Sequence, residues 1–334
     1  MDWPFLIGSL LLLFGLLLGG IFWMSRMPGR SFQASAPQYA TPENDLRQRL
    51  KNHVFHLAET IGERNIWRPQ ALTEAADYIA ASLSSSDLSV VSRTYEIKGQ
   101  TVGNVETTLL GESDDIILVG AHYDTVPGCP GANDNGSGVA VLIELARMLA
   151  NVRPQKTIRL VAFVNEEPPF FKTDRMGSRV YVRQSRERSE KIVAMLSLET
   201  LGYYSQSEDS QAFPLPLIGL FYPDRGNFVA FVSNLKSRKL LHRVVAGFRE
   251  SARIPSEGLA APGWVTGVDW SDQWSFWQEG IPAVMVTDTA PFRDPYYHSP
   301  GDTSDRLQYR ELALVTEGLA RAVASLAGTS LPQL

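Results

Sequence analysis

The chain has 334 residues, enough for one substantial core or two small ones. Its 44% hydrophobic and 20% charged content is that of a globular protein and excludes a disordered or fibrous one, and a net charge of -5 without a basic stripe excludes the electrostatic footprint of a nucleic-acid binder. Cys129 is the only cysteine, so neither an intrachain disulfide nor a thiolate zinc site is available.

Trp3 to Met24 contains no charged residue, and as a helix it is roughly 33 Å long, enough to cross a bilayer core. This predicts a transmembrane anchor over 1–25. A cleaved signal peptide is the alternative, but the apolar stretch exceeds the usual length and Asp2 stands where a basic flank is expected. Arg26 and Arg30 follow the span, which by the positive-inside rule keeps the remainder on the cytoplasmic side. Residues 26–42, rich in Ser, Ala, Gln and Pro towards their end, predict a flexible tether, and 43–334 the globular domain it carries.

Within that domain a helix is expected from about Pro42 to Ile61, and a second from the apolar face Leu72, Ala75, Ala76, Ile79, Leu83. Ser89–Ile97 and Val102–Leu110 alternate as strands do, and Ile116–Val119, Ile158–Val164 and Ala194–Leu198 are short apolar runs of buried strands. Val139–Ala150 is dominated by helix formers. Leu217–Phe221 and Ala283–Thr287 predict further strands, with helical patterns around Phe228–Leu235, Leu240–Ser251 and Tyr309–Leu326. Alternating strands and helices indicate an α/β fold, three-layered, with a mostly parallel mixed central sheet covered by helices on both faces.

Three of the strands run directly into acids or histidine: His122 and Asp124 after the first, Glu166 and Glu167 after the second, Glu199 after the third. The carboxyl ends of strands in open α/β sheets are where ligands gather. Asp134 lies in the glycine-rich loop Gly131-Ala132-Asn133-Asp134-Asn135-Gly136-Ser137-Gly138, and His298 in a proline-rich loop after Thr287. Alone, a His-x-Asp is more often a surface pair and a Glu-Glu more often a solvated face. Together they form a concentration of buried carboxylates that needs a cation, and imidazole with carboxylate suits zinc. Asp272 is either a substrate or supporting residue or, with Ser271, a helix cap. Trp264, Trp270, Trp274 and Trp277 are expected to pack the core rather than line a pocket.

Ala121-His122-Tyr123-Asp124, the glycine-rich loop, Asn165-Glu166-Glu167-Pro168-Pro169-Phe170-Phe171, Met176-Gly177-Ser178, Glu199-Thr200-Leu201-Gly202-Tyr203, Ser271-Asp272 and Tyr297-His298-Ser299-Pro300 together resemble the di-zinc aminopeptidase family. That family is related to glutamate carboxypeptidases and glutaminyl cyclases, and the resemblance runs from about His53 to Leu326. It implies two zinc ions: one held by His122, Asp134 and Glu199, the other by Asp134, Glu167 and His298, with Asp134 shared. It further implies that Asp124 orients the His122 imidazole, that Glu166 is the general base acting on a zinc-bridged water, and that Tyr297 steadies the oxyanion. A cis peptide is implied at Asp134-Asn135. Glu199 stands where many members have aspartate, and glutamate is also a competent zinc ligand. The implied substrate is a peptide with a free N-terminus, and the family's usual place is outside the cytoplasm, opposite to the signal from Arg26 and Arg30. A single-zinc glutaminyl cyclase and a non-catalytic receptor-like domain are the two alternative functions on this scaffold.

Overall fold

The computed structural model describes residues 3–33, 44–215 and 217–331. Its strands are β1 (Val90–Ile97), β2 (Gln100–Leu109), β3 (Ser113–His122), β4 (Lys156–Phe163), β5 (Lys191–Glu199), β6 (Val229–Ser233), β7 (Ser256–Ala260) and β8 (Ala283–Thr287). They form one sheet in the order β1-β2-β4-β3-β5-β8-β6-β7. The centre, β4-β3-β5-β8, is parallel, as is β6 with β7; β1–β2, β2–β4 and β8–β6 are antiparallel. The helices are α1 (Trp3–Ser25), α2 (Asn44–Phe55), α3 (Pro69–Ser84), α4 (Gly138–Leu149), α5 (Gly177–Glu187), α6 (Arg238–Arg249), α7 (Gln273–Trp277) and α8 (Tyr309–Leu326).

The two faces of the sheet separate by the period of the strand. Ile117, Val119, Ala121, Leu196, Leu198, Val284 and Val286 pack with the apolar faces of α2, α3, α4, α6 and α8 in the main core. Their neighbours Ile116, Leu118 and Met195 face the other way, onto Tyr181 and Val182 of α5 and Phe276 of α7. Further along that second face, Ala230, Val232 and Met285 form a separate apolar cluster with Ile218 and Val265. The sheet is thus covered by helices on both sides, as an α/β pattern with buried parallel strands requires.

Two expected elements come out differently. Leu217–Phe221 is not a strand; Ile218–Phe221 is a single 3-10 turn. A short apolar run carries no period that tells strand from turn, and this one contains Gly219. Conversely, the helical pattern around Phe228–Leu235 is β6, because Val-Ala-Phe-Val-Ser is bracketed by β8 and β7 and buried along its whole length. β7 is too polar in sequence to announce itself and is held by its pairing with β6.

Helix α1 is long enough to cross a bilayer, with a mean hydropathy of 2.2 over its apolar window, and leaves most of its side chains from Ile7 onward exposed. The expected tether does not start freely. Arg249 donates to the carbonyls of Pro28 and Gly29 (3.1 and 3.4 Å), and the Ser256 N–H of β7 donates to Ser31 Oγ at 2.8 Å. An edge strand has peptide groups to spare, and Ser31 takes up one of them. The rest of the tether, 34–42, lies outside the described residues.

Candidate metal centre

Because β4, β3, β5 and β8 run parallel, their carboxyl ends lie at one edge of the sheet. His122 is the last residue of β3 and Glu199 the last of β5; Glu166 and Glu167 follow β4, and His298 is carried by the loop after β8. The loop between β3 and α4 brings Asp134 into their midst. Gly131 turns that loop with a left-handed φ of 64°, and a side chain there would strike Thr125 Cγ2 and the Asp134 carbonyl. The Asp134-Asn135 peptide is cis, as expected.

Asp134 is the hub. His122 Nε2 lies 3.2 Å from its Oδ1 and His298 Nε2 lies 2.9 Å from its Oδ2. Each imidazole has a second carboxylate: His122 Nε2 is 3.3 Å from Glu199 Oε2, and His298 Nε2 is 3.4 Å from Glu167 Oε1. His122 Nδ1 faces the Asp124 carbonyl oxygen at 3.2 Å. A carbonyl only accepts, so Nδ1 carries the proton and Nε2 is the ring atom that turns to Asp134 and Glu199. The Tyr297 ring stacks on His298 with centroids 3.9 Å apart.

These donors fit a cation. Asp134 Oδ1 and Oδ2 and Glu167 Oε1 are buried and have no hydrogen-bond partner. Ligand atoms of His122, Asp134 and Glu167 all lie within 4.8 Å of one another. Atoms about 2.0–2.1 Å from a tetrahedral zinc stand about 3.3 Å apart, the spacing found between the imidazole and carboxylate atoms. Without positive charge the cluster opposes itself. Burial pushes Glu166 well above the usual carboxylate range against the pull of His122, with Glu167 and Glu199 adding to the push. Burial and the neighbouring Asp134 push Glu167 up to about 7. Burial also works against a charged His298, yet Asp134 and Glu167 hold it up at about 10. Protons or a metal ion must supply the missing charge.

A family model for peptidase family M28 matches residues 104–323, a span containing every one of these side chains. The chain belongs to peptidase family M28. Over 305 residues it is 37% identical to the uncharacterized protein YfbL of Escherichia coli K12, covering 89% of this chain and 90% of that one. It is 31% identical over 217 residues to aminopeptidase YwaD of Bacillus subtilis, covering 63% of this chain but spanning only 41% of the relative's length. The structure of BSAP, a zinc aminopeptidase from Bacillus subtilis, superimposes with a TM-score of 0.66 at 17% identity, covering 84% of this chain and 95% of that one; that likeness is one of fold.

In this M28 peptidase a layer of buried polar groups holds the centre, and part of it departs from expectation. The Asp124 carboxylate lies 3.7 Å from His122 Nδ1, too far for the expected hydrogen bond, which goes to the Asp124 carbonyl instead. The carboxylate accepts the Glu166 and Glu167 N–H groups, at 2.9 and 3.1 Å, and so fixes the turn that carries both acids. Asp272 heads α7 without a side-chain capping bond, so the cap reading fails; its oxygens are buried without partners, and burial pushes it up to about 7 despite His122. Ser271 Oγ donates to Glu199 Oε2 at 2.6 Å. Of the four tryptophans, Trp277 packs against both clusters on its face of the sheet, whereas Trp264 is 81% exposed and Trp270 lines the cleft over the centre.

Three supporting residues escaped the sequence analysis. Asp302 accepts the Asn133 and Asp134 N–H groups at 2.7 and 3.0 Å. Asp288 accepts from Asn133 Nδ2 and from the Tyr203 N–H. Arg64, fully buried, donates to the carbonyls of Leu57, Gly62, Tyr123, Pro130 and Gly131. Asp288 had a signal, since it follows a predicted strand directly as Glu199 does; Arg64 and Asp302 had none.

The centre opens into a cleft of about 550 Å³ lined by Asp134, Glu166, Glu167, Glu199, Tyr297 and His298. A second cavity of about 820 Å³ shares Glu199, Trp270 and Tyr297 with it and continues over β8, β6 and β7.

Proposed function

We propose that this chain is a zinc-dependent aminopeptidase that hydrolyses the N-terminal bond of peptides. The observation that carries the proposal is the convergence of two imidazoles on opposite oxygens of one buried carboxylate, each with a further carboxylate at 3.3–3.4 Å. On this reading His122, Asp134 and Glu199 hold one zinc ion, and Asp134, Glu167 and His298 a second. Zinc bound there supplies Lewis acidity towards the scissile carbonyl and lowers the pKa of water.

The remaining work falls to side chains. Glu166 is buried at the cleft and is not needed as a ligand, so its carboxylate takes the proton of the attacking water and returns it to the leaving amine. Asp124 holds Glu166 in position through the backbone. Burial together with Asp134, Glu199 and Glu167 pushes the Tyr297 phenol far above its ordinary value, so it stays protonated and donates its O–H to the carbonyl oxygen as charge develops there. Asp272 adds negative charge beside Glu166 and favours its protonated form between the two transfers.

Residues 43–334 form the peptidase domain in this proposal, and α1 anchors it in the membrane with the domain on the extracytoplasmic side. The test is the metal content of the purified full chain in detergent, paired with release of an aminoacyl chromophore before and after chelation and zinc restoration. Two equivalents of zinc with restorable release are expected. One equivalent with cyclisation of a glutaminyl peptide would replace the proposal by a cyclase, and absence of bound metal would end it.

A further inference from the structure

The second cavity lies over a straight row of residues set by the sheet register. Glu199 of β5 pairs with Thr287 of β8, Thr287 with Ala230 of β6, and Ala230 with Glu257 of β7. Directly paired residues project from one face, and three strand spacings put Glu257 about 14 Å from Glu199. All four line the cavity. Between the two acids the floor carries only a threonine and an alanine, so it is low, while Phe213, Phe228, Val265, Val268, Met285 and Phe292 wall it in. Among the described residues, Glu199 and Glu257 are the only carboxylates that line it, and no lysine, arginine or histidine does.

Glu257 is poorly matched within the protein. The facing cation is Arg249, whose Nη2 stays 3.9 Å from Glu257 Oε2, beyond hydrogen-bond range. The Arg249 N–H groups are directed instead to Ser256 Oγ at 3.0 Å, the Ser256 carbonyl at 2.5 Å and the Pro28 carbonyl at 3.1 Å. Among the described residues nothing donates a hydrogen bond to the Glu257 carboxylate. Burial pushes it up to about 6 against the pull of Arg249, which leaves it ionised at neutral pH. Glu257 thus keeps unused acceptor capacity at the end of an apolar channel, with Arg249 as its facing cation.

We infer that this channel is a specificity subsite for an N-terminal residue with an apolar stem and a cationic end, lysine or arginine, and that Glu257 pairs with the terminal charge. The inference rests on the aminopeptidase reading for the placement of the scissile bond beside Glu199. The reach agrees: an extended lysine stem spans about 6 Å from Cα to nitrogen and the carbonyl carbon adds about 1.5 Å. A charge-assisted hydrogen bond adds about 3 Å. The remaining ~3–4 Å of the ~14 Å row separates the scissile carbonyl from Glu199. A leucine side chain fills less than half of the row and leaves Glu257 unmatched. Arg249 is itself occupied by the carbonyls of Pro28 and Ser256, so its guanidinium stays at the β7 end of the row.

Two measurements on the zinc-loaded full chain in detergent test this. In turnover, kcat/KM on lysyl and arginyl chromogenic substrates is expected to exceed that on the leucyl one at least tenfold, and Glu257→Gln to remove that excess while leaving leucyl turnover within twofold. In calorimetry, L-lysinol, which has no amide to cleave, is expected to bind at least tenfold tighter than L-norleucinol, which has the same four-carbon stem with hydrogen in place of the terminal amine. Glu257→Gln should abolish that preference. If leucyl substrate is cleaved but lysinol shows no preference, or Glu257→Gln alters all substrates alike, the subsite is overturned and the aminopeptidase stands. If nothing is hydrolysed but the lysinol preference exists and depends on Glu257, the aminopeptidase reading falls and the subsite stands. Failure of L-lysinol to bind overturns the subsite.

Discussion

The two halves of the sheet use the same face for opposite purposes. Where β3 and β5 end, that face presents His122 and Glu199 to the acids of the neighbouring loops, and the turns behind them are tied by the buried polar side chains of Asp124, Asn133 and Asp302. On β6 and β8 it presents Ala230, Val232 and Met285 to an apolar cavity, where contact is mostly between hydrocarbon side chains. The first half gains definition from groups that must be matched one to one. The second gains shape from volume alone. Chemistry belongs where geometry is over-determined, and selection of a substrate belongs where it is set by size and a single charge.

That contrast can be broken most severely at Asp134. Asp134→Asn removes the charge shared by both imidazoles, and the expected outcome is loss of bound zinc and of all measurable turnover, read by elemental analysis beside chromophore release. Next is Glu166→Gln, expected to keep full metal content while kcat falls by about 10²–10⁴, the usual weight of a general base; near-normal kcat would remove Glu166 from its role. In the apolar half, Phe228→Ala is expected to cost about 3–5 kcal/mol in denaturant unfolding while metal stoichiometry stays unchanged. Loss of zinc in that variant would show that the halves are not independent. The smallest effect belongs to Asp124→Ala, which unties the Glu166–Glu167 turn without touching a donor atom: zinc affinity should weaken by about 10–100-fold, measured by competition with a chromogenic chelator.

The polar half was legible because its residues are rare in buried positions. His122, Asp134, Glu166, Glu167, Glu199 and His298 each follow an apolar strand or sit in a glycine- or proline-rich loop, and the structure brings all six to one edge of the sheet. The apolar half was not. Val229–Ser233 and Leu217–Phe221 are both short apolar runs, and only their partners decide that one is a strand and the other a turn. Asp302 was equally silent, since an acid that receives two backbone N–H groups looks in sequence like any loop aspartate. The Asp124 carboxylate was assigned to the wrong partner for a related reason: spacing gives proximity to His122, but whether side chain or carbonyl meets the ring depends on the turn that follows.

The bond from the Asp134 N–H to Asp302 joins positions 168 residues apart. Asp134 follows β3 and Asp302 follows β8, so synthesis supplies the residue to be steadied well before the one that steadies it. The hub of the centre is therefore steadied only once two segments far apart in the chain have met, so the local order of the β3–α4 loop depends on the folding of the loop after β8.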